Sequence, residues 1–380
     1  MAMFVEGFIL TPEGFVRGRL EHADGRIADI RGVAVTEVEA RTGIANLPLV
    51  LPGFIDLHVH GGAGRDTMEG GDAITQIARL HARHGTTALL ATTMTAPLDE
   101  IRVALKALGP AIAERSAGAA RVLGVHLEGP YINPAKLGAQ PDFARTATLP
   151  EIAELHALAA IRLITLAPEL PGNLELIRSL CAAGFQVQIG HTLGSYEDGV
   201  AALEHGAGGF THLFNAMTGL HHRAPGVVGA ALAHARYAEV IPDLLHVHAG
   251  ALKVAMRAIP GCYCVTDSTA AAGMPDGDYK LGRHTVRKCL GGVRLADGTL
   301  AGSTLTMDQA LRNLVDALGL DVADASKRVS THAADYLGLS DRGRLVRGAW
   351  ADFVVMDRRE LQLQRVVIEG EAVDADHPNA

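Results

Sequence analysis

Histidine and carboxylate side chains stand at the ends of several apolar segments of this sequence. Two histidines separated by one residue close the first segment, single histidines close two later ones, and a glutamate and an aspartate close two others. In chain order these residues are His58, His60, Glu128, His191, His212 and Asp267. Imidazole nitrogen and carboxylate oxygen are ligands that Zn²⁺, Fe²⁺ and Mn²⁺ accept in proteins. The set therefore predicts a metal-dependent reaction.

No member of this set is diagnostic by itself. His58 and His60 point to the same side of a strand because side chains alternate with period two, yet an isolated His-x-His pair is more often incidental than a metal site. A single histidine such as His191 is more often a satisfied polar residue, and Glu128 beside Pro130 could be a helix N-terminal charge. Their joint placement at segment ends is what favours a metal centre.

Eight apolar, β-rich segments position these residues, and amphipathic helical patterns lie between them. The segments cover residues 49–60, 86–93, 121–130, 161–169, 185–192, 208–216, 239–247 and 262–269, with helices predicted at 72–85 and 173–184, among others. This alternation is typical of βα units and predicts a (β/α)8 TIM barrel, in which all C-terminal strand ends share one face. A doubly wound open sheet is the alternative, but no GxGxxG follows the first segment.

The two ends of the chain differ from the middle. Residues 1–48 and 342–370 contain short alternating segments with turn signals, which predicts a small β-sandwich-like domain built from both termini. We expect residues 1–50 with 338–380 in this domain and 51–337 in the barrel. The stretch before the helical pattern at 304–319 is predicted to form a loop or small hairpin over the barrel mouth.

Composition limits the class of protein. The net charge of −8 is spread along the chain, which argues against nucleic acid and anionic membranes as partners. The four cysteines show neither zinc-site CxxC spacing nor a disulfide framework, which favours a reducing compartment. There is no basic N-terminal leader and no apolar run of about 18 residues, so we expect a cytoplasmic protein.

Several segments carry a family resemblance. They are LPGFIDLHVHGG, HLEGPYINPAKLGA, IGHT, THLFNAM followed by RAPG, VTDSTAAAG and AGSTLTMDQA. Over nearly its whole length the chain resembles the N-acetylglucosamine-6-phosphate deacetylases of the amidohydrolase superfamily. The EGP…NP…GA and THLFNAM segments are specific to these deacetylases, whereas SDRGRLVRGAWADFVVMD is common to the wider superfamily.

The resemblance implies a role for each polar strand end. It implies that Glu128, His191 and His212 bind the metal, with Zn²⁺ expected first and Fe²⁺ as an alternative, and that Asp267 is the catalytic acid/base. Because some members keep the His-x-His pair and a second ion, His58 and His60 imply one or two ions, with Glu128 as the bridging carboxylate. The implied reaction is hydrolysis of N-acetylglucosamine 6-phosphate to glucosamine 6-phosphate and acetate.

The resemblance also implies a phosphate site and a dimer. Its residues fall on Asn215, Ala216, Arg223 and His246, and the family's arginine and histidine are thought to reach the phosphate across a homodimer interface. A guanidinium group suits phosphate oxygens well. Taken alone, Arg223 is equally compatible with an ordinary surface charge and His246 with a core or loop histidine.

One position departs from the family pattern. The family has Gly-Ala-His where this chain reads KLGAQ, so Gln140 stands at a substrate-contacting position. Glutamine donates and accepts hydrogen bonds but carries no proton charge. Either the standard substrate is retained, or another N-acylated amino sugar, such as N-acetylgalactosamine 6-phosphate, or another amide is used.

Two other functions remain as alternatives. One is a different metal-dependent amidohydrolase, although these often use a carboxylated lysine and no lysine lies at a segment end. The other is a non-catalytic sugar-phosphate binding protein, which would have no use for an acid/base at Asp267.

Overall fold

The computed structural model describes residues 3–373; residues 1–2 and 374–380 of the predicted small domain lie outside the described residues. The strands are β1 (Met3–Thr11), β2 (Gly14–Ala23), β3 (Arg26–Val35), β4 (Leu49–Pro52), β5 (Phe54–Val59), β6 (Gly61–Gly62), β7 (Arg65–Asp66), β8 (Thr86–Thr92), β9 (Arg121–Glu128), β10 (Ile161–Leu166), β11 (Gln186–Ile189), β12 (Gly209–Phe210), β13 (Tyr237–Val240), β14 (Gly261–Cys264), β15 (Gly277–Leu281), β16 (His284–Cys289), β17 (Gly292–Arg294), β18 (Phe353–Met356), β19 (Leu363–Ile368) and β20 (Glu371–Val373). The helices are α1 (Glu37–Thr42), α2 (Ala73–Arg83), α3 (Leu98–Ala113), α4 (Leu149–Leu158), α5 (Asn173–Ala182), α6 (Tyr196–Glu204), α7 (Gly226–His234), α8 (Ala249–Ala258), α9 (Met307–Asp316), α10 (Val322–Val329) and α11 (Thr331–Tyr336).

Eight parallel strands form the barrel. A continuous sheet runs β5–β8–β9–β10–β11–β12, and β13 pairs with β14. Leu213 N–H donates to Glu239 O at 2.9 Å, which joins the end of β12 to β13. A parallel bridge between Val59 and Ser268 joins β5 to the residues after β14. These contacts close the ring, and the predicted (β/α)8 barrel is confirmed.

Several observed strands are shorter than the predicted segments, and the differences at 49–60 and 239–247 have identifiable causes. The segment 49–60 is divided at Gly53, because β4 pairs in the terminal sheet whereas β5 enters the barrel. A Cβ atom at Gly53 would lie 2.3 Å from Thr87 Cγ2, so the chain crosses between the two sheets where only glycine fits. The segment 239–247 is shorter than predicted, since β13 ends at Val240 two residues before Pro242, which lacks an amide donor. His246 therefore lies in the loop after β13 rather than at a strand end.

The helices around the barrel follow apolar spacing. In α2 the buried residues include Ile74, Ile77 and Ala78, and this i, i+3, i+4 spacing places one face on the core. In α9 the same spacing buries Met307, Ala310 and Leu311. Among residues 3–373, no helix has both the length and the apolar character needed to cross a bilayer.

A three-stranded antiparallel sheet of β15, β16 and β17 lies over the barrel mouth, where the sequence predicted a loop or a small hairpin. Leu281, Val286 and Val293 from this sheet pack against Met94, which follows barrel strand β8. This apolar contact holds the sheet against the rim.

The ends of the described chain form one seven-stranded sheet in the order β20–β19–β18–β4–β1–β2–β3. The sheet curls, so that its edge strand β3 reaches the residues before β18. Ile27 N–H donates to Ala349 O at 2.9 Å, and Ala351 N–H donates to Gly25 O at 2.8 Å. It encloses a separate apolar cluster that includes Ile9, Leu20 and Phe353, as expected for a sandwich-like unit. We propose the domain division expected from the sequence, residues 1–50 with 338–380 and residues 51–337, and β4 extends the terminal sheet two residues past that boundary, to Pro52.

An ionic cluster joins the terminal sheet to the barrel. Glu369, between β19 and β20, accepts from Arg121 at 2.8 and 2.9 Å and from Arg115 at 2.9 Å. Arg342 donates to both Glu369 and Asp352. Burial opposes ionisation of Glu369, but the hydrogen bonds from Arg121, Arg342 and Arg115 outweigh it and lower its pKa to about 2.

Replacing this shared anion should destabilise the fold. We expect Glu369→Gln to lower the free energy of unfolding at pH 7 by about 3 kcal/mol, because three guanidinium groups lose their buried partner. Since the folded pKa lies below the ordinary value of 4.5, the contribution of the carboxylate is complete above pH 4.5 and is lost as the pH falls toward 2. Urea unfolding across this pH range measures both effects.

The matched control is Glu371→Gln, whose side chain also contacts Arg115 but is 64% exposed. We expect it to change stability by no more than about 0.5 kcal/mol. Equal effects of the two substitutions would contradict the role assigned to Glu369.

Candidate active site

A cavity of about 370 Å³ opens at the C-terminal end of the barrel strands. Most residues selected from the sequence line it: His60, Glu128, Gln140, His191, His212, Asn215, Ala216, His246 and Asp267. His58 is fully buried behind this wall. Arg223 is exposed and does not line the cavity. Leu281 of β15 and Thr299, which follows β17, also line the cavity.

One donor set consists of Glu128, His191 and His212. The Nε2 atoms of His191 and His212 lie 3.1 and 3.0 Å from Glu128 Oε1 and 3.1 Å from each other. His191 Nδ1 contacts the Lys136 carbonyl oxygen at 2.8 Å. That contact makes Nδ1 the protonated nitrogen and leaves the Nε2 lone pair facing the carboxylate.

A second donor set consists of His58, His60 and Asp267. The two Nε2 atoms are 3.1 Å apart and lie 3.5 Å (His58) and 3.4 Å (His60) from Asp267 Oδ1. Both also approach Glu128 Oε2, at 3.4 Å for His58 and 3.1 Å for His60. The Glu128 carboxylate therefore stands between the sets, with one oxygen toward each.

The donor chemistry of this arrangement fits a cation. Four imidazole Nε2 atoms and two carboxylates converge in a buried space, and His60 and His212 have no hydrogen-bond partner on Nδ1. Burial lowers the pKa of His58, but the charges of Glu128 and Asp267 outweigh burial and raise it well above its usual value. The same negative potential would attract a divalent metal ion, which N and O ligands of this kind hold.

The backbone is left-handed at three of these residues. The φ angles are 47° at His191, 28° at His212 and 49° at Asp267. Non-glycine residues rarely adopt such angles, at a cost of about 1–3 kcal/mol each, and they cluster at functional sites. The angles turn each side chain into the cavity directly after its strand ends.

The residue after Glu128, Gly129, occupies a position that only glycine fits. Its φ is 72°, and a Cβ atom would lie 1.9 Å from Thr95 Oγ1. No larger residue fits without moving the loop after β8, so the strand-end carboxylate keeps its position only with glycine next to it.

Both the oxygen and the nitrogen of the Gln140 side-chain amide form hydrogen bonds within the protein. Thr95 N–H donates to Gln140 Oε1 at 2.7 Å, and Gln140 Nε2 donates to Glu128 Oε2 at 2.7 Å. Because a backbone N–H cannot accept, the amide orientation is determined. One amide hydrogen remains for a substrate.

The cavity wall also includes a histidine that is paired with an aspartate. His246 Nδ1 lies 2.6 Å from Asp243 Oδ2. Burial opposes the charged form, but the hydrogen bond and charge of Asp243 outweigh it and raise the pKa of His246. His246 lines the cavity of its own chain, so its contact with a ligand there needs no partner subunit.

The sequence analysis did not select three buried polar residues beneath the cavity: Asp56, His126 and Glu239. Asp56 precedes His58 by two residues, so strand periodicity could have identified it. Burial raises its pKa to about 7 despite hydrogen bonds from Thr266. Glu239 is the first residue of the segment 239–247, whereas Glu128 was selected because it closes a segment, so the strand-end signal does not identify Glu239.

Fold and site together define a barrel hydrolase with a divalent metal centre. The model of the amidohydrolase family matches residues 49–373. The chain is 40% identical over 377 residues to the N-acetylgalactosamine-6-phosphate deacetylase of Escherichia coli O157:H7, covering 96% of this chain and 97% of that protein. It is 39% identical to the N-acetylglucosamine-6-phosphate deacetylase of Lysinibacillus sphaericus, covering 90% of each.

Solved structures agree with these relatives. A mutant N-acetyl-D-glucosamine-6-phosphate deacetylase from Mycobacterium smegmatis, in complex with N-acetyl-D-glucosamine 6-phosphate, has a TM-score of 0.89 at 32% identity, covering 98% of this chain and 99% of that one. The deacetylase from Thermotoga maritima has the same TM-score and identity, covering 98% and 100%. The chain belongs to the N-acetylglucosamine-6-phosphate deacetylase family of the amidohydrolases.

The contact between Gln140 and Glu128 gives a testable consequence. Gln140→Glu would bring a second carboxylate within 2.7 Å of Glu128 Oε2, and two such groups cannot both ionise readily. We expect kcat/KM for amide hydrolysis to fall at least about 10-fold, together with a loss of bound metal measured by elemental analysis.

Asp142→Asn is the control, because it changes an exposed charge on the same loop. We expect its activity and metal content to equal those of the parent protein. Unchanged kcat/KM and metal content in Gln140→Glu would contradict the role of the amide.

Proposed function

We propose that this chain is an amide-bond hydrolase that converts N-acetyl-D-glucosamine 6-phosphate to D-glucosamine 6-phosphate and acetate. The observation that supports this most directly is the position of Asp267. Its carboxylate lines the same cavity as both donor sets and lies within 3.5 Å of the paired histidines. A sugar-phosphate binding protein would not need an acid/base at that point.

The proposed ligands are Glu128, His191 and His212 for one ion, and His58 and His60 with Glu128 for a second. We propose Zn²⁺, with Fe²⁺ as the alternative. A divalent ion in this place supplies Lewis acidity, lowering the pKa of a water molecule and polarising the acetyl carbonyl.

Asp267 moves the proton in the proposed reaction. Its Oδ atoms face the cavity, where one accepts the proton of the attacking water. The same carboxyl group then donates that proton to the sugar nitrogen as the amide C–N bond breaks, because an amine anion is a poor leaving group. The step releases acetic acid and the neutral amine, and transfer of the acid proton to the amine in solvent gives acetate and the ammonium form of glucosamine 6-phosphate.

We propose that the phosphate binds where Asn215, Ala216 and His246 line the cavity. Asn215 and Ala216 can contact its oxygens, and Asp243, by raising the pKa of His246, favours the protonated ring that gives a charge-assisted hydrogen bond. Arg223 is exposed outside the cavity of its own chain, so we propose that it reaches the phosphate in a homodimer. We also propose a cytoplasmic location, where sugar phosphates are retained.

N-acetylgalactosamine 6-phosphate is the second candidate substrate. The relative from Escherichia coli O157:H7, 40% identical over 377 residues, is named as an N-acetylgalactosamine-6-phosphate deacetylase. Gln140 adds to this alternative, because Thr95 and Glu128 leave its amide a single hydrogen to donate, at the position where the family has a histidine.

A panel of four sugars tests the proposal. We expect kcat/KM for both 6-phosphates to exceed that for the unphosphorylated N-acetylhexosamines by about 10–100-fold, because hydrogen bonds to charged groups contribute about 1.5–3 kcal/mol. Released amine is measured for each sugar. Failure on every phosphorylated sugar would overturn the proposal, and a preference for the galactose isomer would select the second candidate.

Removal of the acid/base gives a second test. We expect Asp267→Asn to lower kcat about 10³-fold, because the amide accepts no proton, while histidine ligands and Glu128 retain the metal. Turnover and metal content are measured together, with Asp276→Asn, an exposed position, as control. Near-parental turnover with full metal content would show that Asp267 is not the acid/base.

A further inference from the structure

Glu239 lies on β13 beneath the cavity and contacts both donor sets from below. It is fully buried. Its Oε2 lies 3.1 Å from His58 Nδ1 and accepts from the His212 backbone N–H at 3.2 Å. Its Oε1 accepts from the Tyr263 hydroxyl at 3.3 Å. One carboxylate therefore connects a ligand of each set.

These contacts select the tautomer of His58. Glu239 Oε2 already accepts from a backbone N–H, which can only donate, so this oxygen acts as an acceptor and the hydrogen of its contact with His58 belongs to Nδ1. In the neutral ring, which is the form that binds a metal, the lone pair is then on Nε2, and Nε2 faces His60, Glu128 and Asp267. A histidine with the hydrogen on Nε2 would point a donor at the place where a metal ligand is needed.

The same carboxylate sets the direction of a longer hydrogen-bond chain inside the barrel. Because the Tyr263 hydroxyl donates to Glu239, it accepts from Gln188 Nε2, at 2.7 Å. This orients the Gln188 amide, whose Oε1 accepts from the Thr211 hydroxyl at 2.9 Å. Each step permits only one donor direction.

The chain ends at His126, which lies against His58. The Thr211 hydroxyl donates its hydrogen to Gln188, so it must accept from the Thr165 hydroxyl, at 2.8 Å. The Thr165 hydroxyl in turn accepts from His126 Nε2–H, at 2.8 Å. His126 Nδ1 is buried without a partner, which agrees with a bare nitrogen there. The His126 ring meets the His58 ring edge to face, with centroids 4.6 Å apart.

We propose that Glu239 is a positioning residue that sets His58 as the Nδ1–H tautomer and thereby makes the His58–His60 donor set able to bind a metal ion. It acts through His58 and touches no substrate. The inference rests on the proposed metal centre, but it is tested by binding and tautomer measurements that do not depend on the sugar.

The test titrates metal-stripped, full-length protein with Zn²⁺ by calorimetry. His60→Ala identifies the binding step that belongs to the His58–His60 set. We expect Glu239→Leu to weaken that step by about 10–100-fold, while the other step stays within about 3-fold of the parent. Glu239→Gln, whose amide oxygen can still accept from His58 Nδ1–H, should restore most of the lost affinity.

Tyr263→Phe is the matched control, because it breaks the chain beyond Glu239 and leaves the carboxylate against His58. We expect both binding steps within about 3-fold of the parent. In zinc-loaded protein with ¹⁵N-labelled histidine, NMR should show the His58 hydrogen on Nδ1 in the parent and in Glu239→Gln.

Three results would overturn the inference: a His58 hydrogen on Nε2 in the parent, equal weakening of both steps by Glu239→Leu, or equal weakening by Glu239→Gln and Glu239→Leu. Absence of Zn²⁺ binding in the parent would instead count against the proposed metal centre.

Discussion

The buried carboxylate of Glu128 is the group on which the active site depends. Only 1% of the residue is exposed, and a charge removed from water is costly unless partners surround it. Histidines from two different sets and the amide of Gln140 surround it here. Burial favours the neutral acid, but His58, His191 and His212 outweigh this and hold the pKa of Glu128 well below its usual range.

That requirement explains the architecture around the site. The surrounding groups come from strands far apart in the chain, so the barrel must close before they meet. Closure occurs beside the site itself, because Asp267 N–H donates to the His58 carbonyl oxygen at 2.9 Å. The contact that joins the first and last barrel strands thus also brings Asp267 to the paired histidines.

The site also tolerates unfavourable backbone angles. His191, His212 and Asp267 have left-handed φ angles, and the surrounding barrel offsets their cost through a large apolar core that includes Leu57, Leu127 and Ile189. The loops that carry the left-handed residues are therefore held by strands that are buried on both faces. Such rigidity suits the proposed reaction, which needs Asp267 at a set distance from the donor sets.

The sequence by itself determined the barrel, because its apolar segments and helical spacings are local patterns that any parallel arrangement must satisfy. It also determined which histidines and carboxylates stand at strand ends, and the resemblance indicated their chemistry. It did not determine that Gly53 divides the first segment, since that break follows from contact with Thr87. Only the tertiary structure decided that Gln140 binds Glu128, that His246 faces the cavity of its own chain, and that Glu239 lies against His58. These contacts join residues from separate strands and loops, and a linear pattern of residue types does not contain distances between them.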